Sequence, residues 1–377
     1  MAISAAREEL FAHLRREPDV EAADLVAVDA TDRLLLDEAA AAIAVAGPGE
    51  VVVVDDSYGA LTLGVVVAGA RDVRVCQDLL VGELALARNA ERTGLTGSHR
   101  SLPLTPELFA GARLVLAKAP RSLDALREIA ELAATAAPDV TVLVGGRVKH
   151  MTLAMNDVLR ASFTDVSATL ARQKSRVLVA RGPRAGVQPS FPRRQVHPDL
   201  GLTVCAHGAA FAGTRVDVGT RALLATLDRM APDAATALDL GCGTGVLATA
   251  LALARPAVRV TAGDQSAAAV ASARATAEAN GVAGRVRVTR DDAAAGVADA
   301  STDLVVCNPP FHVGAAVVTG AADRLFAAAG RVLRPGGELW TVYNNQLPHR
   351  AALRRLVGPT RVAAADRRFT VTVSTRR

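Results

Sequence analysis

Four consecutive valines, Val51–Val54, run into Asp55-Asp56-Ser57-Tyr58-Gly59 and then into apolar Ala60 and Leu61, a pattern that predicts a buried strand, a turn and a helix. Val73-Arg74-Val75-Cys76-Gln77-Asp78 predicts the next strand. An Ala/Leu-rich helix follows and ends at Asn89-Ala90-Glu91-Arg92-Thr93-Gly94, where Gly94 suits the left-handed residue that stops a helix. Residues 114–120 predict a further strand, 122–136 a helix and 140–144 another strand. Strands alternating with helices in this way build a parallel sheet with crossover helices.

The same order recurs downstream: a strand at 237–240, a glycine-rich turn, a helix, a strand at 258–264, a helix ending at Ala277-Glu278-Ala279-Asn280-Gly281, and strands at 286–288 and 304–310. Ala90-Glu91 and Gly94 fall on Ala277-Glu278 and Gly281, and residues 114–120 lie over 304–310 with Pro120 on Pro310. We read this as an internal duplication of one α/β domain. The expected division is a first domain over 1–181, a Pro/Arg-rich linker over 182–198 and a second domain over 199–377. Proline should bar helix and weaken strand in that linker, whose arginines could touch phosphate or simply face solvent.

Composition narrows the class. A chain of 377 residues suits two domains of about 100 to 200 residues each. Half of it is hydrophobic and 21% is charged, which fits a folded core and not a disordered chain. The net charge of +5 and pI near 9.4 give only a mild bias towards polyanions. Arg7, Glu8 and Glu9 interrupt the start where a signal peptide needs an apolar core, and no apolar run approaches a membrane span, so a cytoplasmic protein is expected. Cys76, Cys205, Cys242 and Cys307 lack ligand or framework spacing, and the seven histidines show no metal-site pattern, so no metal is expected.

Two stretches carry candidate chemistry. In Leu238-Asp239-Leu240-Gly241-Cys242-Gly243-Thr244-Gly245 a strand ends in three alternate glycines, which lets backbone N–H groups approach a ligand closely or serves a tight turn. Asp264, at the end of the next strand, is placed to accept ribose hydroxyls or to cap the following helix. Asp291-Asp292 could reach an adenine amine or form a polar turn.

The second stretch is Asn308-Pro309-Pro310-Phe311, a stiff turn at the ligand-binding edge of an open α/β sheet. The Asn308 amide oxygen and Pro309 carbonyl can accept both N–H bonds of a planar exocyclic amine and so free its lone pair towards an electrophilic methyl group. Phe311 offers a face for an unpaired base, or is an ordinary core residue. The copies differ here: Lys118 stands where the second has Asn308, and Asp55 to Leu61 keeps one loop glycine of three, so the first domain is expected to have lost the ligand.

Residues 239–245 and 308–311 resemble the motifs of class I S-adenosylmethionine-dependent methyltransferases acting on exocyclic amines. The form Asn308-Pro309-Pro310-Phe311-His312 is similar to bacterial ribosomal RNA guanine-N2 methyltransferases, which pair a degenerate N-terminal methyltransferase-like domain with an active C-terminal one. Phe211 through Val216-Asp217-Val218-Gly219-Thr220 resembles the segment before their cofactor domain. Residues 118–123, 145–147 and 174–176 look more like the large-subunit (23S) enzymes than the small-subunit (16S) ones. Asn345-Gln346, where the family usually has Arg-His, and Gln265 after Asp264 depart from the pattern.

The resemblance implies two tandem Rossmann-like α/β domains with seven-stranded, mostly parallel sheets. It implies S-adenosyl-L-methionine held by Asp239, Gly241, Cys242, Gly243, Gly245, Asp264, Gln265, Asp291, Asp292 and Asn308. Asn308, Pro309, Pro310 and Phe311 would be catalytic, with Phe311, His312, Phe211 and Asp217 on the substrate. The partner would be ribosomal RNA or a ribosomal subunit, with monomer and homodimer both open. An adenine-N6 or protein glutamine methyltransferase would need the same Asn-Pro-Pro clamp, and a non-catalytic RNA-binding factor is the rival of another class. A nicotinamide dehydrogenase is opposed by the Asn-Pro-Pro turn and the loop spacing.

Overall fold

The structure, a computed structural model, describes residues 2–21, 25–309 and 318–377. It divides into two units, Met1–Phe191 and Pro192–Arg377. In the first unit the strands are β1 (Val51–Val54), β2 (Val73–Cys76), β3 (His99–Ser101), β4 (Leu114–Lys118), β5 (Thr141–Arg147), β6 (Phe163–Ala168) and β7 (Ser175–Pro183). Its helices are α1 (Ala2–His13), α2 (Ala30–Val45), α3 (Ala60–Val67), α4 (Leu80–Arg92), α5 (Pro106–Phe109), α6 (Leu123–Ala136) and α7 (Leu153–Ser162).

The second unit opens with the strand pair β8 (Arg193–His197) and β9 (Leu202–Ala206). It then runs through α8 (Val218–Leu224), β10 (Thr236–Leu240), α9 (Val246–Ala254), β11 (Arg259–Asp264), α10 (Ala267–Ala279), β12 (Val286–Arg290) and β13 (Thr302–Cys307). After the undescribed stretch come α11 (Val318–Val332), β14 (Leu333–Asn344), α12 (His349–Leu356), β15 (Thr360–Ala365) and β16 (Phe369–Thr375).

The two sheets have one topology, β3-β2-β1-β4-β5-β7-β6 and β12-β11-β10-β13-β14-β16-β15. The first five strands of each are parallel, whereas β7 and β16 run antiparallel between their neighbours. Register agrees too: Val51 lies beside Leu114 as Ala237 lies beside Leu304. This is the duplicated, mostly parallel seven-stranded architecture that the hydrophobic pattern and the resemblance imply.

The valine run is explained by burial on both faces. Val51 and Val53 enter the core beneath α2, α3 and α4, while Val52 and Val54 enter the core beneath α6 and α7. Each buried valine contributes roughly 1.5 to 3 kcal/mol. Residues 182–198 differ from the expected linker, because 193–197 form β8 and pair with β9 over their whole length. Pro192 and Pro198 flank that strand without interrupting it, so its amides remain available.

The first unit keeps the shape of the glycine loop with one of its three glycines. Asp55, Ser57 and Gly59 have φ of 57°, 66° and 97°, alternating as in Gly241, Gly243 and Gly245 at 78°, 52° and 75°. The close backbone turn is therefore retained. What has gone is the space beside it: Asp55 accepts from the Asp78 N–H, and Tyr58 donates to Asp19 at 2.6 Å beneath the Arg16 guanidinium. Gln77 takes the place of Asp264 and accepts from the Ser57 N–H at 3.1 Å.

At the end of β4, Lys118 lies 2.6 Å from Asp32 and 3.3 Å from Asp29, the residue that caps α2. Burial alone would lower the Lys118 pKa, but the Asp32 and Asp29 charges outweigh it and raise it. Lys118→Met would leave the buried Asp32 without a counter-charge and should cost about 3 to 5 kcal/mol. Urea denaturation followed by circular dichroism would read this, and the loss should shrink as pH falls, because a protonated Asp32 needs no partner.

Candidate active site

β10 delivers the chain to the sheet edge and the loop turns at once. The N–H groups of Gly241 and Cys242 both donate to the Gly263 carbonyl of β11, at 2.9 and 3.0 Å. The three glycines divide the work. A Cβ at Gly245 would stand 2.8 Å from the Ala273 Cβ, so this glycine lets α9 and α10 pack closely. A Cβ at Gly241 or Gly243 would meet nothing within 4 Å, which leaves open space beside backbone held at positive φ.

Asp239 is fully buried, and one oxygen accepts from the Ala248 N–H at 3.0 Å in the first turn of α9. Its other oxygen has no partner among the described residues. Burial, with the Asp264 charge adding to it and the Ala248 hydrogen bond opposing it, pushes its pKa up to about 7. The Cys242 side chain packs in the core, where burial raises its thiol pKa well above the ordinary value. Cys242 therefore offers the loop its backbone and not its sulfur.

The Asp264 carboxylate ties the loop to the next strand, accepting from Gly243 N–H at 3.0 Å and Ser266 N–H at 2.9 Å. The cap of α10 is Ser266, which accepts from Ala269 N–H. A carboxylate offers about four lone-pair sites, so it can accept a hydroxyl as well as backbone N–H groups. Asp291 N–H donates to the Asp264 carbonyl at 2.9 Å, bringing the two acids to one edge. The Asp291 carboxylate accepts from Gly296 N–H, while Asp292 pairs with Arg324 at 2.5 Å. Gln265 Oε1 is buried without a partner among the described residues.

Asn308 follows β13 directly. Its Nδ2 donates to Asp217 Oδ2 at 3.1 Å and lies 3.0 Å from Thr220 Oγ1. A carboxylate only accepts, so the nitrogen end of the amide must face Asp217. The Oδ1 of Asn308 is then turned the other way, buried and without a partner among the described residues. Asp217 also caps α8, accepting from Gly219 N–H at 2.9 Å and Thr220 N–H at 3.4 Å.

Glycines 241, 243 and 245 with Asp264, Gln265 and Asp291 thus gather at one strand edge, while Asn308 and Asp217 meet beside β13. Pro309 is buried. Phe211 is 70% exposed and makes no contact with Asn308 among the bonds described above. Pro310, Phe311 and His312 lie outside the described residues. Gly219 and Thr220 enter the sequence reading only within the 211–220 segment and not as site residues; Asp217-Val218-Gly219-Thr220 carries the signature of a helix cap. Among the described residues no cluster of His, Cys, Asp or Glu is built to hold a metal, and no helix is long and apolar enough to cross a membrane.

Comparison with known proteins matches the methyltransferase small domain family over residues 201–373 and the RLMG N-terminal domain family over residues 3–184. The ribosomal RNA large subunit methyltransferase G of Streptomyces coelicolor is 38% identical, covering 95% of this chain and 96% of its own. That of Pseudomonas paraeruginosa is 36% identical over the same shares. Among solved structures, a T. thermophilus 16S rRNA N2 methyltransferase in complex with AdoMet and guanosine is 24% identical with a TM-score of 0.74, covering 93% of this chain and 92% of that one. This last likeness shows the fold.

The raised Asp239 pKa predicts a pH dependence. A carboxyl whose folded pKa lies near 7 and whose ordinary value is 3.8 gains a proton on folding, so its contribution is full below about pH 4 and lost as pH rises through about 7. Wild type should therefore lose stability relative to Asp239→Asn across that window, by about 4 kcal/mol at most. Paired urea titrations of the two proteins at the two ends of the window measure it.

Proposed function

The chain belongs to the ribosomal RNA large subunit methyltransferase G family, and on that premise we propose that its second unit methylates the exocyclic N2 amine of a guanine in large-subunit ribosomal RNA. The observation that carries this reading is the buried Asn308 Oδ1, without a partner among the described residues, beside an amide nitrogen already spoken for. Such an oxygen can only accept, and a nucleobase amine brings hydrogens to donate.

The residues present fit S-adenosylmethionine. Gly241 and Gly243 expose backbone to open space for the methionine end, Asp264 retains acceptor capacity for the ribose, and Gln265, Asp291 and Asp292 stand beyond it for the adenine. When bound, the cofactor supplies an electrophilic sulfonium methyl group. Asn308 Oδ1 and the Pro309 carbonyl accept the two N–H bonds of the guanine amine, which holds the nitrogen and draws its lone pair out of conjugation with the ring. The nitrogen that accepts the methyl group becomes acidic and sheds its proton to solvent. Catalysis then rests on positioning more than on a general base.

The first unit fits a supporting and RNA-recognising role. Gln77 replaces the ribose acid, Asp55 and Ser57 carry side chains where Gly241 and Gly243 leave room, and the Lys118 ammonium has no lone pair to accept an amine.

Asn308→Ala should bind S-adenosylmethionine within about threefold of wild type by calorimetry yet lose at least about 100-fold in tritiated-methyl transfer to ribosomal RNA. Equal turnover by the mutant would sink the assignment. Asp264→Ala should instead weaken cofactor binding by about tenfold or more, since it removes both the loop tie and the ribose acceptor. Mass spectrometry of ribosomal RNA from a deletion strain should show one large-subunit fragment lacking one methyl group.

A further inference from the structure

Asn308 is useful as an acceptor only if its amide cannot turn over. A side-chain amide rotated by half a turn would offer N–H to the substrate amine, which is itself a donor, and the pair would repel. The structure holds the amide against that rotation through two groups on another element, Asp217 and Thr220, at the start of α8.

We infer that Asp217 and Thr220 are positioning residues for methyl transfer, fixing the Asn308 amide so that Oδ1 faces the substrate amine. The inference rests on the reading of Asn308 as the acceptor of that amine. Asp217 is held in turn by the N–H groups of Gly219 and Thr220, so its carboxylate cannot follow a rotating amide. Its negative charge, accepting an N–H from one end of the amide, also draws electron density towards Oδ1 at the other and strengthens it as an acceptor. The nitrogen gaining a methyl group becomes more positive, so a stronger acceptor favours the transition state over the ground state.

Two further observations support the assignment. A Cβ at Gly219 would stand 3.3 Å from Asn308 Oδ1 and 3.5 Å from Nδ2, so the absent side chain keeps the space around the amide open. The first unit shows the same frame without that use. There Asp29 caps α2 as Asp217 caps α8, and Asp32, three residues on, stands where Thr220 does. Both hold Lys118, and Thr31, in the place of Gly219, carries a buried side chain whose hydroxyl bonds Ser175. The cap and strand end meet in both units, but among the described residues the second alone presents an unpartnered acceptor there.

The test separates this role from a structural one. Asn is as good a helix cap as Asp, so Asp217→Asn should keep the fold and an oxygen facing the Asn308 amide while removing the charge behind it. Asp217→Asn and Thr220→Val should each lower kcat about 10- to 100-fold, with the KM for ribosomal RNA and the affinity for S-adenosylmethionine within about threefold. Thr220→Ser, which keeps the hydroxyl, should recover most of kcat.

Wild-type kcat in Asp217→Asn and Thr220→Val, beside an inactive Asn308→Ala, would overturn the positioning role and leave the proposed function standing. Full activity in Asn308→Ala would overturn the function itself. Equal impairment of Thr220→Val and Thr220→Ser, or loss confined to KM or cofactor affinity, would also overturn the positioning role. If Asp217→Asn does not fold, the Thr220 pair carries the test alone.

Discussion

Asp239 in the second unit and Asp56 in the first each set a carboxylate beneath the first turn of the helix that leaves the central strand. The amides of a helix start have no intrahelical acceptor, and here they point into a buried corner where water cannot serve them. A buried acid answers that need at the cost of its own solvation, which is why Asp239 is pushed towards neutrality. The glycine loop, its tie through Asp264 and the packing of α9 on α10 all depend on the helix beginning at that point. The first unit meets the same demand from another position: Asp56 sits within the loop and accepts from both Leu61 and Thr62 at 2.7 Å.

The two units therefore keep backbone geometry where the fold needs it and exchange side chains where chemistry is at stake. Lys118 and Asn308 occupy one place in one topology and are gripped from one helix cap. A lysine there satisfies two carboxylates and ends the matter. An asparagine spends its nitrogen on the cap and, among the described residues, has an oxygen left over.

The apolar strands were legible because burial on both faces writes them as unbroken runs, as in Val51–Val54 and Thr302–Cys307. β6 was not, because it is exposed along most of its length and offers neither a run nor an alternation. β8 was hidden by flanking prolines that suggested a linker. At the site, the loop glycines, Asp264 and Asn308 could be named from their order along the chain. That Asp217 and Thr220 would grip Asn308 could not, since the contact joins residues 91 and 88 positions apart and exists only once the sheet has formed. The same holds for Asp264, whose tie to Gly243 bridges two strand ends.

The strand order has a bearing on how each sheet comes into being. β16 is the last strand of its unit in the chain, yet it lies between β14 and β15 and pairs with both. As the nascent chain emerges, β14 and β15 must wait side by side, unpaired on their facing edges, until β16 arrives to fill the gap. A cut before Phe369 would thus strip two strands of a partner and not one, exposing two open edges of the kind that recruit other chains. β7 holds the matching place in the first unit, so each half of the protein passes through such a wait in turn.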